Sequence, residues 1–194
     1  MSETCPVLTL ASLKSDKDAQ DPQQVARRCR TGLPVPMVDL EIMDIQGNPL
    51  PHDGLSVGEV VARAPWLTQG YYKEPQKSEA LWEDGWLHTG DIGFIDEDGY
   101  VQIVDRKKDM ILVSGFNVFP NEVEDVIASH PGVVEVGVIG MPDEKSGEAV
   151  AAVVVKSDPS LTEDELIDFC KEDLTNYKRP RYVFFTDELP KTNV

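Results

Sequence analysis

Apolar and polar positions alternate through the first half of the chain. Val38-Asp39-Leu40-Glu41-Ile42 alternates strictly, and Val57 to Ala64 is a second apolar-rich run between turn residues. Both are predicted to be strands, and Gly47-Asn48-Pro49 is the turn between them. Ahead of them, Gly32-Leu33-Pro34-Val35-Pro36 is stiff and extended, because each proline disfavours helix in the residue before it. Glu74 to Trp82 is predicted to be a short helix. Asp96-Glu97-Asp98-Gly99 is a hairpin turn joining Ile92–Ile95 to Tyr100–Val104. Strands separated by such turns predict a small β-barrel or sandwich from about residue 31 to about Val104. Residues 5–30 carry one apolar stretch, Val7 to Leu10, and are otherwise irregular.

The texture changes at Asp105-Arg106-Lys107-Lys108-Asp109, a charge cluster with no apolar anchor, which is how a linker reads. Beyond it, Met110–Val113 and Asn117–Phe119 flank the glycine-containing turn Ser114-Gly115-Phe116. Pro120 opens a helix from Asn121 to His130 with Val123, Val126 and Ile127 on one face, and Pro131-Gly132 stops it. Val133–Ile139 and Ala149–Val155 are β-rich. Thr162 with Glu165 three residues on forms a capping box for a helix that carries Leu166, Phe169 and Cys170 to about Leu174. Arg181–Thr186 is the last strand. The order β-β-α-β-β-α-β predicts an α+β domain with its helices on one face of a sheet. Two domains are therefore expected, 1–105 and 106–194.

Charge narrows the range of functions. The 194 residues hold 18 Lys+Arg against 35 Asp+Glu, a net −17. A chain so acidic has no basic field for non-specific binding to nucleic acid or to anionic membranes. Cys5, Cys29 and Cys170 stand far apart in no metal-ligand spacing, and His52, His88 and His130 form no ligand pair. Sparse, odd cysteines suit a reducing compartment, and the N-terminus lacks the basic-then-apolar order of a signal peptide. A cytoplasmic location is the expectation.

Four short stretches could carry chemistry. In Trp86-Leu87-His88-Thr89-Gly90-Asp91, a glycine lets the backbone approach a ligand whose vicinal hydroxyls donate to the carboxylate, although an isolated Thr-Gly-Asp is more often an ordinary turn. In the 105–109 cluster, Arg106 offers fork-like contacts to oxygens and the lysines offer mobile charge, although charge runs are usually solvated. Ser2-Glu3-Thr4 places a hydroxyl beside a carboxylate, a pair that can hold phosphate and Mg2+ or simply cap a helix. The tail Leu189-Pro190-Lys191-Thr192-Asn193-Val194 says nothing by itself.

Taken together and in order, the stretches MSETCP, GEVVARAPWLTQGYY, GWLHTGDIGFIDEDGYVQIVDRKKDMILVSGFNVFPNEVEDVIASHPGV, GEAV and LPKTNV resemble something specific. They are similar to the C-terminal part of the adenylate-forming (AMP-dependent) synthetase superfamily, most of all to bacterial medium- and long-chain fatty-acid–CoA ligases. The resemblance implies that 1–105 is the end of a large AMP-binding domain with a distorted β-barrel, and 106–194 a small mobile C-terminal domain. It implies a reaction in which ATP and a fatty acid give acyl-AMP, which coenzyme A then converts to the thioester. Ser2 matches the hydroxyl on the AMP phosphate, Glu3 the Mg2+ carboxylate, and Asp91 and Arg106 the ribose contacts. Lys108 matches the hinge, and Ser114, Gly115 and Phe116 match the loop around the pantetheine of coenzyme A. Four features depart from the pattern. Ser2 replaces the usual Thr, Leu112 stands where some relatives carry a second Lys, and neither the phosphate loop nor the terminal catalytic Lys is among these residues. The chain alone is therefore expected to be inactive, as a fragment of an enzyme for which peripheral membrane contact is a further expectation. Two other functions stay open, a ligase that loads a carrier protein and a non-catalytic binding module.

Overall fold

The structure, a computed structural model, describes residues 2–5, 7–12, 25 and 27–191. Most of the irregular stretch before residue 31, and Thr192 to Val194 of the tail, lie outside these residues. The chain divides into two compact units, Met1–Lys107 and Lys108–Val194.

In the first unit a short ribbon, β1 (Thr9–Leu10) with β2 (Leu33–Pro34), precedes a five-stranded sheet. The sheet contains β3 (Asp39–Met43), β4 (Gly58–Arg63), β5 (Trp82–Glu83), β6 (Trp86–Ile95) and β7 (Val101–Arg106), with helix α1 (Pro75–Leu81) leading into β5. The alternation in β3 does what its pattern requires. Leu40 and Ile42 enter a core with Val60, Ala62, Leu87, Ile95 and Val101, while Asp39 stays exposed. The ten residues of β6 make it the spine of the sheet. It pairs with β4 on one edge and with β5 and then β7 on the other, all antiparallel. Asp96 closes the β6–β7 turn by accepting from the amides of Asp98 (3.0 Å) and Tyr100 (2.9 Å), and Gly99 supplies the left-handed φ of +84°.

The expected barrel is not closed among the described residues. Strand β3 pairs only with β4, apart from a single bridge to Pro49, and the outer edge of β7 takes only one bridge, Val101 to Gly32. Closure needs a continuous, sheared hydrogen-bond ladder around the whole circuit. These two edges do not meet, so the unit is a mixed α/β arrangement around an open sheet.

The second unit holds β8 (Ile111–Val113), β9 (Phe116–Val118), α2 (Pro120–Ala128), β10 (Val133–Asp143), β11 (Gly147–Lys156), α3 (Glu163–Phe169) and β12 (Tyr182–Phe185). Strand order is β10-β11-β8-β9, with β12 parallel to β11. Val123 and Ile127 of α2 and Leu166 of α3 share one core with Val138, Val150, Ala152, Val154 and Val183, so both helices cover the same face. The capping box is present. Thr162 Oγ1 accepts from the amide of Glu165 (3.3 Å), and Glu165 accepts from the amide of Thr162 (3.0 Å). Helix α3 ends at Phe169, short of the expected Leu174. The chain tightens there into bonds from Lys171 to Asp168 and from Glu172 to Phe169, and Arg179 takes the carbonyls of Leu174 and Lys171.

Candidate functional site

The Thr89-Gly90-Asp91 stretch sits on a bulge of β6. Glu59 of β4 pairs with Ile92 and Val61 pairs with His88, so three β6 residues oppose the single Val60. Bulges of this kind twist a strand and re-aim its side chains. Thr89 is buried, and its hydroxyl donates to the Val60 carbonyl at 2.6 Å and accepts from the Asp91 amide at 3.1 Å. Gly90 adopts φ +70°, while nothing lies within 4 Å of where a Cβ would stand. The left-handed backbone, rather than space, selects glycine here.

On the other edge of β6, one extra residue of β7 between Ile103 and Asp105 shifts the register and puts Asp91 directly opposite Arg106, with Arg106 Nε 2.9 Å from Asp91 Oδ1. Asp91 is half-buried and also borders a recess of about 240 Å³ walled by Thr4, Val60, Val101 and Ile103. Burial pushes its carboxyl above the usual value. Arg106 pulls the other way, but its side chain is 56% exposed and its attraction is screened by water, so burial prevails. A carboxyl with a raised pKa in the fold opposes folding once ionised, because the native state holds the proton more tightly than the unfolded one. Stability contributed at this site is therefore lost as pH rises through the unfolded value towards the folded one. Asp91→Asn is expected to raise the unfolding midpoint of the first unit at pH 7. In thermal melts followed by near-UV circular dichroism, the difference should vanish at acidic pH, where both forms are neutral. Equal midpoints at pH 7 would contradict this balance of burial and pairing.

Under Gly90 lies a second carboxylate that the sequence reading did not single out. Glu59 is 6% exposed within a strand whose other buried residues are Gly58, Val60, Val61 and Ala62. Its Oε1 accepts from the Gly90 amide (3.1 Å), and its Oε2 faces His88 Nδ1 (2.9 Å) and accepts from Lys107 Nζ (2.7 Å). Burial alone would raise its pKa, but the bonds from Lys107 and His88 outweigh that and hold it below the ordinary value. The signal available in the sequence was an acid at an inward position of a strand, a placement that demands partners.

A cavity of about 750 Å³ opens beside this network, lined in part by Ser2, Glu3, Tyr71, His88, Gly90 and Arg106. Ser2–Thr4 forms a single 3-10 turn, so these residues do not cap a longer helix. Tyr71 donates to Glu3 Oε1 at 2.7 Å, which keeps the Glu3 carboxyl below its usual pKa and thus ionised. One ionised carboxylate beside a hydroxyl fits Mg2+, which uses one or two carboxylates and takes its remaining ligands from water and phosphates. Among the described residues no group of three or more His, Cys, Asp or Glu could hold a metal without such a substrate.

The other expected residues belong to the second unit. Lys108 is its first residue and is exposed. Ser114 (φ +52°) and Gly115 (φ +87°) are the two residues of the β8–β9 turn, a mirror-image turn suited to the twist of a hairpin. The Ser114 amide donates to Ser146 O at 2.8 Å, and Phe116 is 57% exposed and stacks on Tyr177 with ring centroids 4.8 Å apart. Leu112 is exposed, and its amide donates to Glu148 at 2.7 Å. No helix among the described residues is long and apolar enough to cross a membrane.

Comparison with known proteins gives these features a setting. Residues 1–72 match the AMP-binding enzyme family, and residues 122–194 match the AMP-binding enzyme C-terminal domain. A long-chain-fatty-acid–CoA ligase of Escherichia coli is 53% identical over 163 residues, 84% of this chain and 29% of the relative. A 2-succinylbenzoate–CoA ligase of Bacillus mycoides is 46% identical over 134 residues, 69% of this chain and 28% of that protein. Among solved structures, o-succinylbenzoate CoA synthetase (MenE) of Bacillus subtilis with its acyl-adenylate intermediate superposes with a TM-score of 0.81 at 34% identity. That match spans 98% of this chain and 37% of MenE. ATP-bound MatB of Rhodopseudomonas palustris superposes at 0.77 and 37% identity, over 84% of this chain and 33% of MatB. The chain thus spans under a third of the length of the curated relatives it matches. With matches at both of its ends and the same architecture in between, the chain belongs to the AMP-binding, adenylate-forming enzymes.

Proposed function

We propose that this chain supplies the ribose-holding strands and the mobile domain of an ATP-dependent, AMP-forming acid–CoA ligase, with a long-chain fatty acid as the acid. The observation that carries the reading is the Asp91–Arg106 pair, set across β6 and β7 by the register shift between Ile92 and Gly93. A carboxylate held there accepts from two vicinal hydroxyls, and a guanidinium beside it donates to ring or hydroxyl oxygens. MenE and MatB, whose structures hold an acyl-adenylate and ATP, share this architecture. The fatty-acid assignment rests on the 53% identity to long-chain-fatty-acid–CoA ligases.

In the first half-reaction a carboxylate oxygen of the acid attacks the α-phosphorus of ATP, the bond to the bridging oxygen breaks, and pyrophosphate leaves. In the second, the thiol sulfur of coenzyme A attacks the acyl carbonyl, loses its proton, and expels AMP. Asp91 and Arg106 hold the ribose, and Ser2 faces the phosphate, so the reacting phosphorus is fixed relative to the acid. Glu3 would hold Mg2+, which neutralises phosphate charge. Lys108 is the pivot on which the second unit turns between the half-reactions, and Ser114, Gly115 and Phe116 line the approach of the pantetheine.

A hybrid tests this. The matching 163-residue segment of the Escherichia coli ligase is replaced by the corresponding residues of this chain, and acyl-CoA and AMP are measured by mass spectrometry. The hybrid is expected to form both from a long-chain fatty acid, ATP and coenzyme A. A folded hybrid that forms neither acyl-AMP nor acyl-CoA would overturn the reading.

A further inference from the structure

The buried carboxylate of Glu59 touches more than one part of the site. Its two oxygens hold the Gly90 amide on β6 and the Lys107 ammonium at the end of the first unit. Lys107 is held a second time through its backbone, whose amide donates to Gly90 O at 2.8 Å. Between them, Gly90 and Lys107 bracket Asp91 and Arg106. Lys108, one residue further, is the first residue of the other unit.

We propose that Glu59 is a positioning residue that anchors Lys107 to β4 and β6, so that the swing between the two units is confined to Lys108 and the residues after it. The inference rests on the reading of Lys108 as the pivot and adds what fixes the stationary side of it. A charge-assisted bond to a buried acceptor is stronger than a neutral one, and this acceptor is held from three directions. Motion that began before Lys107 would have to break that bond, the Gly90–Lys107 backbone bond and the Asp91–Arg106 pair together. Motion beginning at Lys108 breaks none of them. The stationary side therefore keeps Asp91 and Arg106 paired in the same register through both half-reactions.

Trypsin reads this residue by residue, because Arg106, Lys107 and Lys108 are three adjacent cleavage sites. A protease must draw the lysine side chain into its own pocket, which the Glu59 bond prevents at Lys107 and nothing described prevents at Lys108. The 194-residue chain is digested briefly, products ending at 106, 107 and 108 are resolved by mass spectrometry, and each rate is normalised to that in a free peptide spanning 102–113. The native chain is expected to be cut after Lys108 and spared after Arg106 and Lys107. Glu59→Gln keeps the shape but loses the charge, and it should speed cutting after Lys107 by about fivefold or more, since cleavage follows the open population. Cutting after Arg63, which is held by the carbonyls of Asp84 and Gly85, should not change. Lys107→Met leaves Glu59 with His88 and Gly90, and should speed cutting after Arg106. If the native chain resists at all three sites, the pivot reading itself fails. If Lys108 is cut but Lys107 is cut equally fast, or if Glu59→Gln and Lys107→Met change nothing, the pivot stands and the anchor falls. A parallel rise at Arg63 would mean that Glu59 supports the unit at large, and that too overturns the proposal.

Discussion

Asp91→Ala in the hybrid ligase is expected to weaken use of ATP by about tenfold or more while leaving the fold intact. Hydrogen bonds from the two ribose hydroxyls would end on an ionised acceptor, and bonds to charged groups are worth roughly 1.5–3 kcal/mol net. At about 1.4 kcal/mol per decade, losing them costs one to two powers of ten in affinity. The loss should fall on KM for ATP and on pyrophosphate exchange, because the ribose contact is made before any bond to phosphorus changes. Removing the side chain also unpairs Arg106, but that guanidinium is more than half exposed and water replaces its partner. Little stability should therefore be lost, and the burial that opposes ionisation of Asp91 is relieved at the same time. Initial rates over an ATP series, beside a thermal melt, separate the two effects. An unchanged KM for ATP with a normal melt would remove Asp91 from the nucleotide site.

Gly93→Ala should force β6 and β7 of the first unit apart with a single methyl group. A Cβ at Gly93 would stand 2.4 Å from the carbonyl oxygen of Gln102 and 3.1 Å from Val60 Cγ2. The nearer atom belongs to the backbone of β7 and cannot rotate away as a flexible side chain would. Overpacking against yielding neighbours typically costs about 1–3 kcal/mol, and a rigid backbone neighbour puts this case at the upper end or beyond. Relief requires β7 to move away from β6, which would separate Asp91, two residues before Gly93 on β6, from its cross-strand partner Arg106. The variant is expected to lose cooperative unfolding of the first unit, while the second unit melts as before. Fluorescence of Trp66, Trp82 and Trp86 reports on this directly, since all three tryptophans of the chain lie in the first unit. A cooperative, native-like tryptophan transition would show that β6 and β7 tolerate the methyl.

The sequence alone carried the features whose causes are local. Strict alternation announced β3, four turn-forming residues at Asp96–Gly99 announced the β6–β7 hairpin, and Pro120 and Thr162 with Glu165 announced the starts of α2 and α3. Each depends on a few neighbouring residues, so each is readable without knowing the fold. The ordered motifs likewise marked Asp91 and Arg106 through resemblance to a family. What tertiary structure alone decided is non-local. Whether five strands close into a barrel depends on edges meeting across the whole sheet, and here β3 and β7 do not meet. That Asp91 faces Arg106 depends on register, which one extra residue of β7 between Ile103 and Asp105 sets in a way no local pattern reveals. Glu59 shows the difference most plainly. In the sequence it is one acid in an apolar run, and its partners His88, Gly90 and Lys107 lie 29, 31 and 48 residues away. Only the folding of β4, β6 and β7 side by side brings three donors to that carboxylate, and only in that company can it stay charged while buried.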